Sequence, residues 1–145
     1  MTKHLVVDSS VFLSHLISND ANHAASREFF NRVKKEKLTL VIPMIAFFEL
    51  LHVYFRITED SKKTDELYQE MILWNISKTL RLVNLEANFL IHFAAHHELF
   101  SVKTSDAVLA VTALHLKYPL ITWDKRLQAS AKKHIEAMTP EEYML

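Results

Sequence analysis

At 145 residues, half of them hydrophobic, the chain is long enough for a substantial core and too apolar for intrinsic disorder. Seventeen basic residues balance seventeen acidic ones, so no global positive field advertises nucleic-acid binding, although carboxylates reserved for a metal ion would hide part of such a surface. Cysteine and glycine are both absent: the first excludes disulfides, thiolate metal sites and cysteine nucleophiles, and the second excludes P-loops, dinucleotide-binding loops and nucleophile elbows, which need glycine for close backbone approach.

Residues 4–7 are an apolar run ending in Asp8, which predicts a buried strand with an acid at its carboxyl end; Ser9 and Ser10 follow and can cap a short helix over 11–17. Asn19 to Asn22 breaks that helix, and residues 24–35 have helical spacing with Phe29, Phe30 and Val33 inward. Residues 37–42 predict a second strand, and Pro43 suits the first position of a helix over 44–55. Glu49 lies inside that helix among Phe47, Phe48, Leu50 and Leu51, where an ionised carboxylate is costly without compensation. After a polar break at 58–63 come a helix over 65–78, a strand over 80–85 and a helix over 86–98 carrying His92, His96 and His97.

Thr104 or Ser105 can cap the next helix, placing Asp106 in its first turn; the body AVLAVTALHL is too apolar for a surface helix and should be buried. Pro119 ends it, and residues 120–122 predict a short strand running into a turn at Trp123 and Asp124. Helix over 127–133, a last strand over 135–138 and a capped turn at Thr139 to Glu142 complete the chain. This order predicts one domain, 1–145: α/β, a mostly parallel sheet of about five short strands flanked by helices on both faces. No stretch approaches the roughly 18 apolar residues of a membrane span, and the start lacks a signal-peptide layout, so a cytoplasmic protein with no membrane partner is expected.

Four acids stand at element ends or in costly places: Asp8, Glu49, Asp106 and Asp124. In a doubly wound sheet both strand-end aspartates project from the carboxyl edge, and gathered carboxylates repel unless a cation resolves them. Mg²⁺ or Mn²⁺ suits such oxygen donors. His92 and His96, four apart, have zinc-compatible spacing, but the HExxH glutamate is missing and no cysteine supports it. An aspartyl-phosphate phosphotransferase with Asp8 as nucleophile is the nearest rival enzyme; Ser10 stands where the haloacid-dehalogenase pattern needs a second aspartate.

The blocks LVVDSSVFL, PMIAFFELLHV and TSDAVLAVTALHLKYPLITWDKRL together resemble the PIN-domain family, and within it the VapC-like toxin ribonucleases. The resemblance implies a three-layer α/β/α sandwich in which Asp8, Glu49, Asp106 and Asp124 surround Mg²⁺ or Mn²⁺, with Ser9 and Thr122 as the accompanying hydroxyls. It implies metal-dependent endoribonuclease activity on RNA, a homodimer and, for toxins, an antitoxin protein as partner. A catalytically silent PIN module binding RNA or a protein is the alternative from another class. Lys117 and Lys133 depart from the pattern, standing where relatives often close a helix with glycine, and Leu127 stands where an aromatic is common.

Overall fold

Short runs of β-branched and leucine residues become strands here because both of their faces are covered. The computed structural model describes residues 3–145. It runs β1 (His4–Val7), α1 (Ser9–Leu16), α2 (His23–Glu36), β2 (Thr39–Pro43), α3 (Met44–Thr58), α4 (Ser61–Ile76) and β3 (Leu80–Val83). It continues through α5 (Leu90–Ala95), α6 (Thr104–Leu116), β4 (Leu120–Ile121), α7 (Lys125–Ala131), β5 (Ala137–Met138) and α8 (Pro140–Met144). In β1 Leu5, Val6 and Val7 are all fully buried, as are Leu40, Val41 and Ile42 in β2. Successive strand residues point to opposite faces, so helices cover the sheet on both sides.

The sheet order is β3-β2-β1-β4-β5, and every pairing is parallel. From β1 the chain winds one way through β2 and β3, then returns to lay β4 and β5 on the other side of β1. A crevice opens where the winding reverses, at the carboxyl ends of β1 and β4. Asp8 is the residue after β1, and Thr122 to Asp124 follow β4. The expected α/β architecture is the one observed.

As its composition requires, α6 is a core helix, with every residue from Ala107 to Ala113 buried. Phe29, Phe30 and Val33 of α2 face inward, and Phe29 meets Tyr143 edge-on at 5.7 Å, seating α8 on α2. The capping box at Thr139 and Glu142 forms as expected.

Other boundaries differ, each for a local reason. Pro43 is the last residue of β2 and the N-cap of α3: its extended ψ of 145° continues the strand, and its fixed φ tolerates that. Thr104 and Ser105 do not cap α6, because Lys103 takes the N-cap position and both hydroxyl residues lie in the first turn. Asp8 is the N-cap of α1, so Ser9 and Ser10 are helical. The single helix expected over 86–98 is three short pieces: 3₁₀ turns at Ala87–Phe89 and His97–Ser101 flank α5. Leu90 and Ile91 are exposed there, so too little apolar burial supports a longer helix. Among the described residues, no helix is long and apolar enough to cross a membrane.

Without glycine, left-handed backbone falls to Lys37, Glu59, Lys78 and Lys117, all at or just past helix ends. At φ 60°, Lys117 holds the position the sequence comparison marked; Lys133 is not among the left-handed residues, and its helix ends in right-handed turns. Lys117→Gly should therefore stabilise the fold by roughly 0.5–1 kcal/mol, the relief of left-handed strain less the added freedom of the unfolded chain. Urea denaturation reads this, and a loss of stability would contradict it.

Candidate metal centre

The centre is built from two strand ends and two helices. Asp8 reaches it because β1 stops at the crevice, and its backbone N–H donates to Ile121 O at 3.0 Å, locking the two strand ends together. Its carboxylate is buried. Oδ2 accepts from the Thr122 hydroxyl at 2.7 Å and the Ser10 hydroxyl at 2.8 Å, while Oδ1 has only a long contact of 3.3 Å from Ser9. One oxygen is thus anchored by two short hydrogen bonds, and the other is held only loosely. Burial raises the Asp8 pKa above the usual carboxylate range, opposed by the Thr122 and Ser10 hydroxyls.

Glu49 is only half-buried on α3, and its neighbour Phe48 is 73% exposed, so it is not the carboxylate sunk in an apolar helix that the sequence suggested. It nonetheless joins the centre: Ser9 donates to Glu49 Oε1 at 3.1 Å and stands between the two acids. Asp106 is half-buried in the first turn of α6. Its pKa is pushed up to about 6, first by burial and then by the negative fields of Asp8, Asp124 and Glu49, with Lys103 opposing. Asp124 caps α7, its Oδ1 accepting from the N–H groups of Arg126 and Leu127 at 2.9 and 3.0 Å. Its own N–H donates to the Thr122 hydroxyl at 2.9 Å.

The fold therefore brings Asp8, Glu49, Asp106 and Asp124 within one electrostatic neighbourhood, with Ser9 and Thr122 between them. They are not packed together: among the described residues, no three of these acids bring ligand oxygens within 4.8 Å of one another. Two members went unnoticed in the sequence. Ser10 donates to Asp8 and accepts from the Trp123 backbone N–H at 3.2 Å; its signal was a hydroxyl two residues beyond a strand-end acid. Lys103, the nearby cation, gave no signal beyond its place before the helix.

Trp123 and the histidines take other places. Trp123 donates from Nε1 to the Ser26 hydroxyl at 2.7 Å and serves packing against α2. His92 pairs with His115, Nε2 to Nδ1 at 3.1 Å, and not with His96. His52 joins Ile45, Phe48, Glu49, Thr104 and Ser105 around an open groove of about 450 Å³ beside the centre.

Thr122 is fully buried and serves two of the four acids, so Thr122→Val removes both contacts at nearly constant volume. The expected cost is about 1–3 kcal/mol of stability, together with about 10- to 100-fold weaker divalent-ion binding. Chemical denaturation and a metal titration check the two; unchanged values in both would remove Thr122 from the centre.

The sequence profile of the PIN domain family matches residues 5–133. No curated protein matches the chain by sequence. Solved structures share its fold. The DNA-bound VapBC complex of Salmonella typhimurium gives a TM-score of 0.71 at 15% identity, covering 97% of this chain and 99% of that one. VapBC2 of Rickettsia felis, bound to a DNA fragment from its promoter, gives 0.67 at 13% identity, covering 94% and 98%. The sarcin–ricin-loop-cleaving toxin VapC20 of Mycobacterium tuberculosis gives 0.66 at 14% identity, covering 87% and 94%. With that profile spanning most of its length and this architecture around the acidic crevice, the chain belongs to the PIN domain family.

Proposed function

We propose that this chain is a Mg²⁺- or Mn²⁺-dependent endoribonuclease that hydrolyses RNA phosphodiester bonds, the toxin of a prokaryotic toxin–antitoxin pair acting in the cytoplasm. The observation that carries the reading is Asp106, whose pKa is pushed up to about 6 by burial and by the fields of three other carboxylates at the switch-point crevice. A structural role alone gives no reason to assemble four like charges there.

The donor set fits a hard divalent ion. It consists of carboxylate oxygens backed by hydroxyls, without thiolate or imidazole among the four acids, and it carries negative charge that needs neutralising. Asp8, Glu49, Asp106 and Asp124 would hold the ion. When bound, it would supply a low-pKa water and stabilise negative charge on the phosphodiester. The chain's own residues do the rest. Thr122 and Ser10 fix one oxygen of Asp8 and leave the other free to serve an ion, and Ser9 spaces Asp8 from Glu49. The adjacent groove, lined by apolar Ile45 and Phe48 and by Thr104 and Ser105, would be the place for an extended single strand.

A protein partner is supported by exposed apolar surface on α3 and α4, where Phe48, Leu73 and Ile76 are 73%, 63% and 71% exposed. Structural neighbours include VapBC complexes and a toxin–antitoxin complex from Klebsiella pneumoniae. An antitoxin, a second copy forming a homodimer, or both would cover this surface.

The test is incubation of the purified chain with structured RNA in Mg²⁺, Mn²⁺ or EDTA. Cleavage with either ion and intact RNA in EDTA is expected, and equal cleavage in all three would sink the proposal. A chain that binds no divalent ion while retaining RNA or a protein partner would instead be a silent PIN module.

A further inference from the structure

A second cluster of metal-binding side chains lies away from the acidic crevice, at the far end of α7. His96 and Glu98 come from the broken segment between α5 and α6, and His134 lies three residues past the end of α7. Asp124 caps the beginning of that helix, so ten residues of chain, roughly 15 Å if helical throughout, separate the two places. Glu98 Oε1 is 2.5 Å from His134 Nε2 and 4.0 Å from His96 Nδ1, and all three atoms lie within 4.8 Å of one another.

Two features distinguish this cluster from a simple ion pair. His134 Nε2 is shielded from solvent, and its contact with Glu98 Oε1 is shorter than an ordinary N–H···O hydrogen bond. The imidazoles of His96 and His134 are also close, with ring centroids 4.2 Å apart, an arrangement that like-charged rings would resist. Three donor atoms within 4.8 Å of one another, one of them shielded from solvent, make the pattern of a ligand set.

We propose that His96, Glu98 and His134 form a site for Zn²⁺ or a similar late first-row divalent ion, which clamps the 96–101 segment to the end of α7. Two imidazoles and one carboxylate make a set that borderline ions prefer and Mg²⁺ does not. Tetrahedral bonds of about 2.0–2.2 Å place ligand atoms roughly 3.3–3.6 Å apart, and the observed 2.5 and 4.0 Å bracket that spacing. The Glu98 side chain is 43% exposed, which leaves a side open for water as fourth ligand. The covalent loop from Glu98 to His134 contains both Asp106 and Asp124. Closing it would steady the approach to α6 and the exit of α7, a brace that Arg126 already begins by donating from Nη2 to Ser101 O at 2.9 Å. The site is independent of the nuclease reading.

The test uses untagged full-length chain, stripped with EDTA and titrated with Zn²⁺ in excess Mg²⁺, with bound zinc counted by mass spectrometry. One zinc per chain is expected, with affinity lower by about tenfold or more in His134→Ala and in the milder His96→Gln. Asp106→Asn should bind zinc as the parent does. Co²⁺ should give the visible absorption of a tetrahedral centre, which does not depend on activity. No zinc uptake, uptake indifferent to both histidine variants, or uptake lost with Asp106→Asn would each overturn the proposal.

Discussion

Asp106→Asn is expected to lower metal-dependent RNA cleavage on the order of a thousandfold or more, while leaving the metal-free protein at least as stable as the parent. The two halves of this expectation come from the same geometry. Asp106 sits where the fields of Asp8, Asp124 and Glu49 converge, and its charge is tolerated there only against their repulsion. Asparagine keeps the size and the place in the first turn of α6 but removes the negative oxygen that would neutralise an ion. It gives up a favourable charge at a helix N-terminus and is relieved of like-charge repulsion, so the stability terms oppose each other. Single-turnover cleavage and thermal unfolding in EDTA measure both halves. A variant that cleaves normally would exclude Asp106 from the reaction. One that loses activity only because it unfolds would make Asp106 a structural residue.

The carboxylates were legible because three of them sit at boundaries that apolar runs and turn residues announce: β1 stops at Asp8, α6 starts just before Asp106, and β4 runs into Asp124. The sheet was legible for the same reason, since uninterrupted apolar runs separated by long crossovers admit few topologies. What stayed hidden depends on contacts between distant residues. Glu49 was singled out for apolar sequence neighbours, yet one helix turn spreads those neighbours around the cylinder, and Phe48 points to solvent. Part of the role of Ser10, accepting from the Trp123 backbone N–H, depends on a residue more than a hundred positions away. The histidines misled by local spacing: His92 and His96 are four apart, but the helix ends between them, and His96 meets Glu98 and His134. Helix caps were missed where a neighbouring residue took the position, as Lys103 did.

The metal-free protein is expected to lose stability as pH rises from about 4 to about 6.5, and divalent ions are expected to restore it toward the upper end of that range. Asp106 titrates near 6 in the folded chain and near 3.8 as a free side chain, and Asp8 is shifted in the same direction. Between those values the folded state binds more protons than the unfolded state. Stability therefore falls as pH rises through the window, and the penalty is complete above the folded pKa. An ion competes for the same oxygens, so its stabilising effect is small near pH 5 and grows through pH 6. His15 works in the opposite sense: burial chiefly, with His23, Lys34 and Arg27 adding to it, lowers its pKa, so it costs stability as pH falls. Subtracting the melting profile of Asp106→Asn from that of the parent removes the His15 contribution and isolates the acidic centre. The difference should slope downward with pH in EDTA and flatten in saturating Mg²⁺. Parallel profiles for parent and variant in EDTA would mean that the four carboxylates do not share a field, and the argument for a metal centre would go with it.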